Sequence, residues 1–358
     1  MEGVNIKLPE FKLKIKNSDF CVNEIFLIPD QSTPRRASFT YLLVEKESLG
    51  TFWLLEKIAT ALGVQIEDVS ASGLKDEQAK TRQIISVKKI ILSRQISGIN
   101  KKLQQLHRKI KVCSLIGYGK KPVLPRMVHG NEFRLKIRNL ECTIAEKIEN
   151  LLGENKFQTF INYYDEQRFG VPESIHNSHL IGKNLLEKKW KGVFNEYLKS
   201  QNEEEETGKI KSVAQKTGSY REAMLLVAER KRNFFISSYN SYLWNQALSR
   251  KIGKLNGGLK VKFPYIGELF FLLKDNVAFP PFFTSRSYDF NWQNNQKITK
   301  VKTRPANITA AVFLLNRGED EIFKGREVIT LSFILPTGCY ATMLVKQLLL
   351  KVSNQVKK

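Results

Sequence analysis

Nowhere does this 358-residue sequence stay apolar for the ~18 to 20 positions that a spanning helix needs. That sets aside a protein threaded through a membrane by helices. The opening residues MEGVNIKLPEFKLKIK lack an apolar signal core and a small-residue cleavage site, so an intracellular protein is expected, cytoplasmic or, in a eukaryote, nuclear. Cysteine is scarce: Cys21, Cys113, Cys142 and Cys339 form no CxxC pair, which argues against a zinc site or a disulfide framework and for reduced thiols. The histidines His107, His129, His176 and His179 complete no HExxH pattern; the close pair His176 and His179 reads as surface or loop, and no metal is expected. There is no Walker loop, no glycine-rich dinucleotide turn and no fixed-period repeat. No metal, flavin or nucleotide cofactor is expected.

Acidic residues are also short. Lysine and arginine number 58 against 35 acids, a formal charge of +23, while the apolar fraction of 42% is ordinary for a chain that buries real cores. A polyanionic partner follows, either nucleic acid or an anionic membrane surface. The imbalance is local: Ser86 to Arg138 holds 14 basic residues against one acid, Glu132. Within it Phe133, Leu135 and Ile137 alternate with Arg134, Lys136 and Arg138, which predicts a strand with one buried and one basic face.

Helical spacing of Phe52, Leu55, Ile58, Ala59 and Leu62 after Gly50-Thr51 predicts a helix over 51–62, with Thr51 placed to cap its first turn. A short strand near Val69, the polar loop SGLKDEQAK and the apolar run Ile84-Ile85-Ser86-Val87 follow, leaving Asp76 on a loop between framework elements. Thr143 to Leu152 and Ser237 to Ile252 read as amphipathic helices, Glu203 to Glu206 as a solvated loop, and Lys254 to Lys302 as short strands and turns. The chain closes with a strand at Leu331 to Leu335, a turn at Pro336-Thr337-Gly338 and a helix from near Tyr340. Strands and helices mix without strict βαβ alternation, so the expected class is α+β with a mixed, largely antiparallel sheet.

Taken alone, GLKDEQAKT is a weak signal. Its company changes that. Asn17-Ser18-Asp19-Phe20, Val22-Asn23-Glu24, Gly73-Leu74-Lys75-Asp76 with Ala79, Thr81 and Gln83, and Gly130-Asn131-Glu132-Phe133 come in one order. Asn162 to Gly170 (NYYDEQRFG), Ser241 to Asn245 (SYLWN) and Leu335 to Thr342 (LPTGCYAT) continue it, and together they resemble the TruD family of tRNA pseudouridine synthases. The resemblance implies a pseudouridine synthase catalytic domain made of residues 1–160 and 301–358, with a shortened TruD-type α/β domain inserted at 161–300. It makes Asp76 the catalytic carboxylate of a cofactor-free uridine-to-pseudouridine isomerisation in RNA, most often tRNA with position 13 the candidate uridine, by a monomer. Such an enzyme must flip its uridine out of the RNA.

By the same resemblance Asn131 and Phe133 line the base pocket, Tyr340 forms a second aromatic wall, and Arg168 pairs with Asp76 or a phosphate. Lys14, Phe20 and Glu24 belong to a segment approaching the pocket, and Lys75 and Arg82 are phosphate contacts. Where the family reads NYFGxQRFG, Tyr164 and Asp165 stand here; if that glycine position needs a positive φ, aspartate is one of the few residues that tolerates it, and its carboxylate would be an added charge near the RNA surface. The alternative reading is a catalytically weak or inactive RNA-binding or chaperone protein of the same fold, and a remoter one is a membrane-surface protein held by charge.

Overall fold

The computed structural model describes residues 8–27, 32–170, 175–200, 204–255, 258–273 and 279–354. The chain divides into two compact units, one of Pro9–Gln158 and Ala310–Gly338, the other of Thr159–Thr309 and Cys339–Lys358. Among the described residues no helix is long and apolar enough to cross a membrane.

The first unit is built on a sheet. Its elements are β1 (Phe20–Phe26), β2 (Phe39–Glu47), α1 (Thr51–Leu62), β3 (Val69–Ala71), β4 (Lys80–Val87), α2 (Ile96–Leu106), β5 (Ile110–Gly119), β6 (Val128–Leu140) and α3 (Cys142–Glu154). After β7 (Phe157–Ile161) the chain leaves the sheet; the second unit's elements follow, and β12 (Asn307–Glu319) and β13 (Glu327–Pro336) return to it. The order is β5-β2-β4-β1-β6-β13-β12-β7, with β3 on β4. All these pairings but one have antiparallel register where it is resolved; β1 and β4 run parallel. The mixed, mostly antiparallel sheet is the α+β arrangement the sequence pattern calls for.

The predicted helix over 51–62 is α1. Its N-cap is Gly50, however, and Thr51 makes no capping bond; the Thr51 hydroxyl instead accepts from the main-chain N–H of Lys75 at 2.9 Å. Leu54, Ile58 and Leu62 of α1 and Ile99 and Leu103 of α2 pack on Leu42, Val44, Ile85 and Val87 from β2 and β4, one apolar layer that fixes both ends of the 72–79 loop. At Gly130 the neighbouring strand comes so close that a Cβ would stand 2.7 Å from the Leu335 carbonyl oxygen, so only glycine fits between β6 and β13 there.

The predicted alternation of β6 holds through Lys136 and fails at Arg138. That side chain is fully buried. Its guanidinium grips both oxygens of Asp19, at 2.8 and 2.9 Å, and also reaches Asp320 at 2.9 Å and Glu321 at 2.8 Å. Arg138 and Lys12 also exchange main-chain hydrogen bonds of 2.9 Å each way. An ion with this many fixed acceptors tolerates burial; without them it would not. The consequence is positional: Arg138 ties down the N-terminal segment that carries Lys14 and Phe20.

The second unit is mainly helical: α4 (Ser178–Leu186), α5 (Trp190–Ser200), α6 (Glu204–Thr217), α7 (Tyr220–Leu225), α8 (Glu229–Ile252) and α9 (Ala341–Asn354). Two hairpins join them, β8 (Gly258–Phe263) with β9 (Gly267–Leu272) and β10 (Phe282–Asn291) with β11 (Gln296–Pro305). Ile181, Leu185, Val193, Tyr197, Met224, Phe235 and Ile236 form its core. The expected solvated loop at 203–206 is corrected in part: residues 204–206 open α6, while residue 203 lies outside the described residues.

Expectations for two residues, His179 and Asp165, change in this unit. His179 is buried in α4 rather than superficial, stacked on Tyr242 at 4.9 Å and edge-on to Phe169, whereas His176 keeps its expected loop position and stacks on Tyr265 at 4.0 Å. Asp165 has a φ of −87°, not a positive one, and is buried in an ion pair with Lys346 of α9 at 2.5 Å. The Asp165 carboxylate thus lies inside, against a lysine, and not at an exposed surface.

Candidate active site

Asp76 sits in the loop between β3 and β4, which is tied to the framework through Ser72, Lys75 and its own main chain. Parallel β1 engages β4 at residues 80–82 and β3 engages it at 85–87, which leaves the Ile84 amide between two ladders. Glu24 takes it: its buried carboxylate accepts from Ile84 N at 2.8 Å and from the Ser72 hydroxyl at 2.7 Å, and pairs with the Lys75 ammonium at 2.5 Å. Lys75, expected at phosphates, turns inward and holds the loop through Glu24. The main-chain carbonyl of Asp76 accepts from the buried Lys46 ammonium at 2.8 Å. Burial pulls the Lys46 pKa down to about 8 from its usual 10.5, against the attraction of Asp76 and Glu77.

The Asp76 carboxylate itself remains partly open, with 23% of the side chain exposed, and accepts from Lys14 Nζ at 2.8 Å. Lys14 holds a left-handed backbone, φ 59°, a conformation that costs energy in a non-glycine residue and marks a segment held for its geometry. Its ammonium also lies 4.4 Å from the centroid of the Phe20 ring. Phe20 meets Phe133 edge-on at 6.0 Å, and Phe133 stacks on Phe333 at 5.5 Å. Phe133, only 7% exposed, is therefore mostly a core residue with one edge toward Phe20.

Asn131 shares a strand face with Phe133 two residues on, and its Oδ1 is buried with no hydrogen-bond partner among the described residues. Orphan acceptors of this kind are uncommon and suit a ligand donor. Arg82 is half exposed and donates to Glu45 at 2.8 Å.

Tyr340 and Arg168 belong to the second unit. Tyr340 packs edge-on against Tyr164 at 5.9 Å, and burial pushes its phenol well above the usual range. Burial acts the same way on Tyr164, but Arg304, 4.0 Å from its ring, and Lys302 outweigh it and lower that pKa. The Arg168 guanidinium donates to the Ser237 and Ser241 hydroxyls at 2.5 and 3.2 Å and lies 5.1 Å from the Phe234 ring. The SYLWN motif explains itself here: Asn245 exchanges hydrogen bonds with the Tyr164 main chain at 2.8 and 2.7 Å, and Trp244 Nε1 donates to the Asn162 carbonyl at 3.2 Å.

Lys46 and Thr51 were not among the residues expected beside Asp76. Nothing in their local sequence singles them out, since each acts on a segment distant in the chain. Among the described residues no group of three or more histidine, cysteine or acidic side chains is placed to hold a metal ion.

Residues 9–213 match the family described as tRNA pseudouridine synthase D (TruD). A probable tRNA pseudouridine synthase D of Thermococcus sibiricus is 30% identical over 271 residues, 67% of this chain and 62% of that protein's length. A probable tRNA pseudouridine synthase D 2 of Methanocaldococcus jannaschii is 26% identical over 97% of this chain and 93% of its own length. The crystal structure of a putative tRNA pseudouridine synthase D from Methanosarcina mazei has the same fold, with a TM-score of 0.58 at 17% identity, covering 98% of this chain and 95% of that one. With over half its length matched and its motifs interlocked as described, this chain belongs to the TruD family.

Proposed function

We propose that this protein isomerises uridine to pseudouridine in tRNA, with Asp76 as the carboxylate acting at the ribose. The observation that carries the reading is the mounting of Asp76. Its main-chain carbonyl is fixed by Lys46, the preceding residue by Thr51 and Glu24, and its half-open carboxylate is held by Lys14. Such a mount presents one negative oxygen pair at a defined height, which is what a single-carboxylate reaction on a bound sugar needs.

The reaction breaks the bond from ribose C1′ to uracil N1, turns the base and forms the bond from C5 to C1′; the C5 proton leaves to solvent and no electrons are exchanged. Lys14 balances the charge of the carboxylate and holds it in place before attack on C1′ or removal of a ribose proton. Asn131 Oδ1 would accept from the uracil N3–H or a ribose hydroxyl, removing its orphan status. Phe20, backed by Phe133, offers an apolar edge to the flipped base. Tyr340, Arg168 and Arg82 are assigned to RNA contacts, the position-13 uridine is the proposed target, and a cytoplasmic monomer the proposed form.

The test is an Asp76→Asn protein given tRNA labelled with tritium at uridine C5. It is expected to bind tRNA as the wild type does and to release no tritium; full release would overturn the assignment. With ~6 to 10 phosphate contacts, tRNA affinity should fall about 10³ to 10⁵-fold from 50 to 200 mM salt.

A further inference from the structure

The floor beneath the Asp76 loop is polar where packing alone would make it apolar. Lys46 is fully buried in β2, and among the described residues one of its three N–H bonds is taken up, by the Asp76 carbonyl. Opposite Lys46 in the β2–β4 ladder stands Thr81, and opposite Val44 stands Gln83, so these side chains share one face. Thr81 and Gln83 are both 0% exposed. Thr81 Oγ1 and both Gln83 amide atoms lack a hydrogen-bond partner among the described residues. Val44 and Ile85, on the same two strands, show that branched aliphatic residues pack well here.

Buried hydroxyl and amide groups left dry carry their full desolvation penalty, and native proteins meet it with enclosed water bonded to two to four polar groups. We propose that Thr81 and Gln83 hold ordered water under the catalytic loop, and that this water and Lys46 together fix the height of Asp76, making all three positioning residues. The proposal rests on the reading of Asp76 as the catalytic carboxylate. Glu24, two residues beyond Val22, which pairs with Thr81, closes the same floor through Ser72 and Lys75, so the loop is supported from both sides. The low Lys46 pKa, about 8, agrees with an ammonium served by few partners.

Thr81→Val and Gln83→Leu remove the polar atoms and keep the volume. Each is expected to lower kcat on tRNA by about tenfold or more, with KM within about twofold of wild type. Tm should stay close to wild type, because a water-bonded polar group and its water give way to an apolar group of like volume. Thr81→Ser, which keeps the hydroxyl, should retain kcat within about twofold. A crystal structure at about 1.5 Å should show water bonded to Thr81 Oγ1 or the Gln83 amide. Wild-type kcat in both apolar variants, or a parallel loss of Tm and activity that Thr81→Ser does not rescue, overturns the proposal, as does density without water. Wild-type protein inert toward tRNA would sink the catalytic reading itself; the density then decides the floor alone.

Discussion

Lys14 Nζ is bound to Asp76 Oδ2 at 2.8 Å across sixty-two residues of sequence, and the same ammonium faces the Phe20 ring at 4.4 Å. One lysine thereby sets both the anion and the aromatic edge beside it. Lys14→Met should keep the apolar stem and lose the charge. A charge-assisted bond is worth up to about 3 kcal/mol, equivalent to roughly a hundredfold in rate. Steady-state kinetics on tRNA should show that loss in kcat with KM little changed; an unchanged kcat would remove Lys14 from the site.

His179 supplies a pH signature. Burial against Tyr242 and Phe169 lowers its pKa to about 4, outweighing the attraction of Glu196. The unfolded chain, titrating near 6.5, binds the proton first. Stability therefore falls as pH drops from about 6.5 to about 4, by up to about 3 kcal/mol from this one group. Urea midpoints measured across that window should decline less steeply in His179→Phe.

The Asp165–Lys346 pair adds a loss of the same sign at lower pH. Burial alone would raise the Asp165 pKa, but Lys346 lowers it below the ordinary carboxylate value. Its contribution is present above the unfolded value near ~3.9 and is lost as pH falls through the lower folded one. Lys346→Met strands a buried carboxylate and should cost about 3 to 5 kcal/mol in chemical denaturation, most of it regained in the double variant with Asp165→Asn.

Arg138→Leu leaves Asp19 and Asp320 buried without their cation. A loss of about 3 to 5 kcal/mol is expected, and Arg138→Lys should recover only part because an ammonium cannot match two carboxylate oxygens at once. Equal thermal midpoints for wild type and Arg138→Leu would show that the cluster carries no net stability.

Local pattern revealed what local physics decides. The spacing of Phe52, Leu55, Ile58, Ala59 and Leu62 marks α1 as a helix, although its buried face centres on Leu54, Ile58 and Leu62 and leaves Phe52 exposed, and the alternation of Phe133 and Leu135 marks β6 because one sheet face is covered. The same alternation misplaces Arg138, since what covers it comes from Lys12, Asp19 and the turn at Asp320, which no window around Arg138 contains. Thr51 was legible as a helix start but not as the acceptor for Lys75, and His179 carried no sign of the aromatic slot that encloses it. Asp76 stood out only through the company of its motif, while its mounting by Lys14 and Lys46 needed the folded chain.

β13 lies between β6 and β12, and it brings Phe333 onto Phe133. During synthesis the first half of the sheet therefore emerges from the ribosome long before the strand that completes it. Until Glu327 to Pro336 are clear of the tunnel, β6 has an open edge and Arg138 lacks two of its acceptors. A nascent chain halted before that point is expected to be a target for chaperones and proteases, with the helical segment between its halves free to form first.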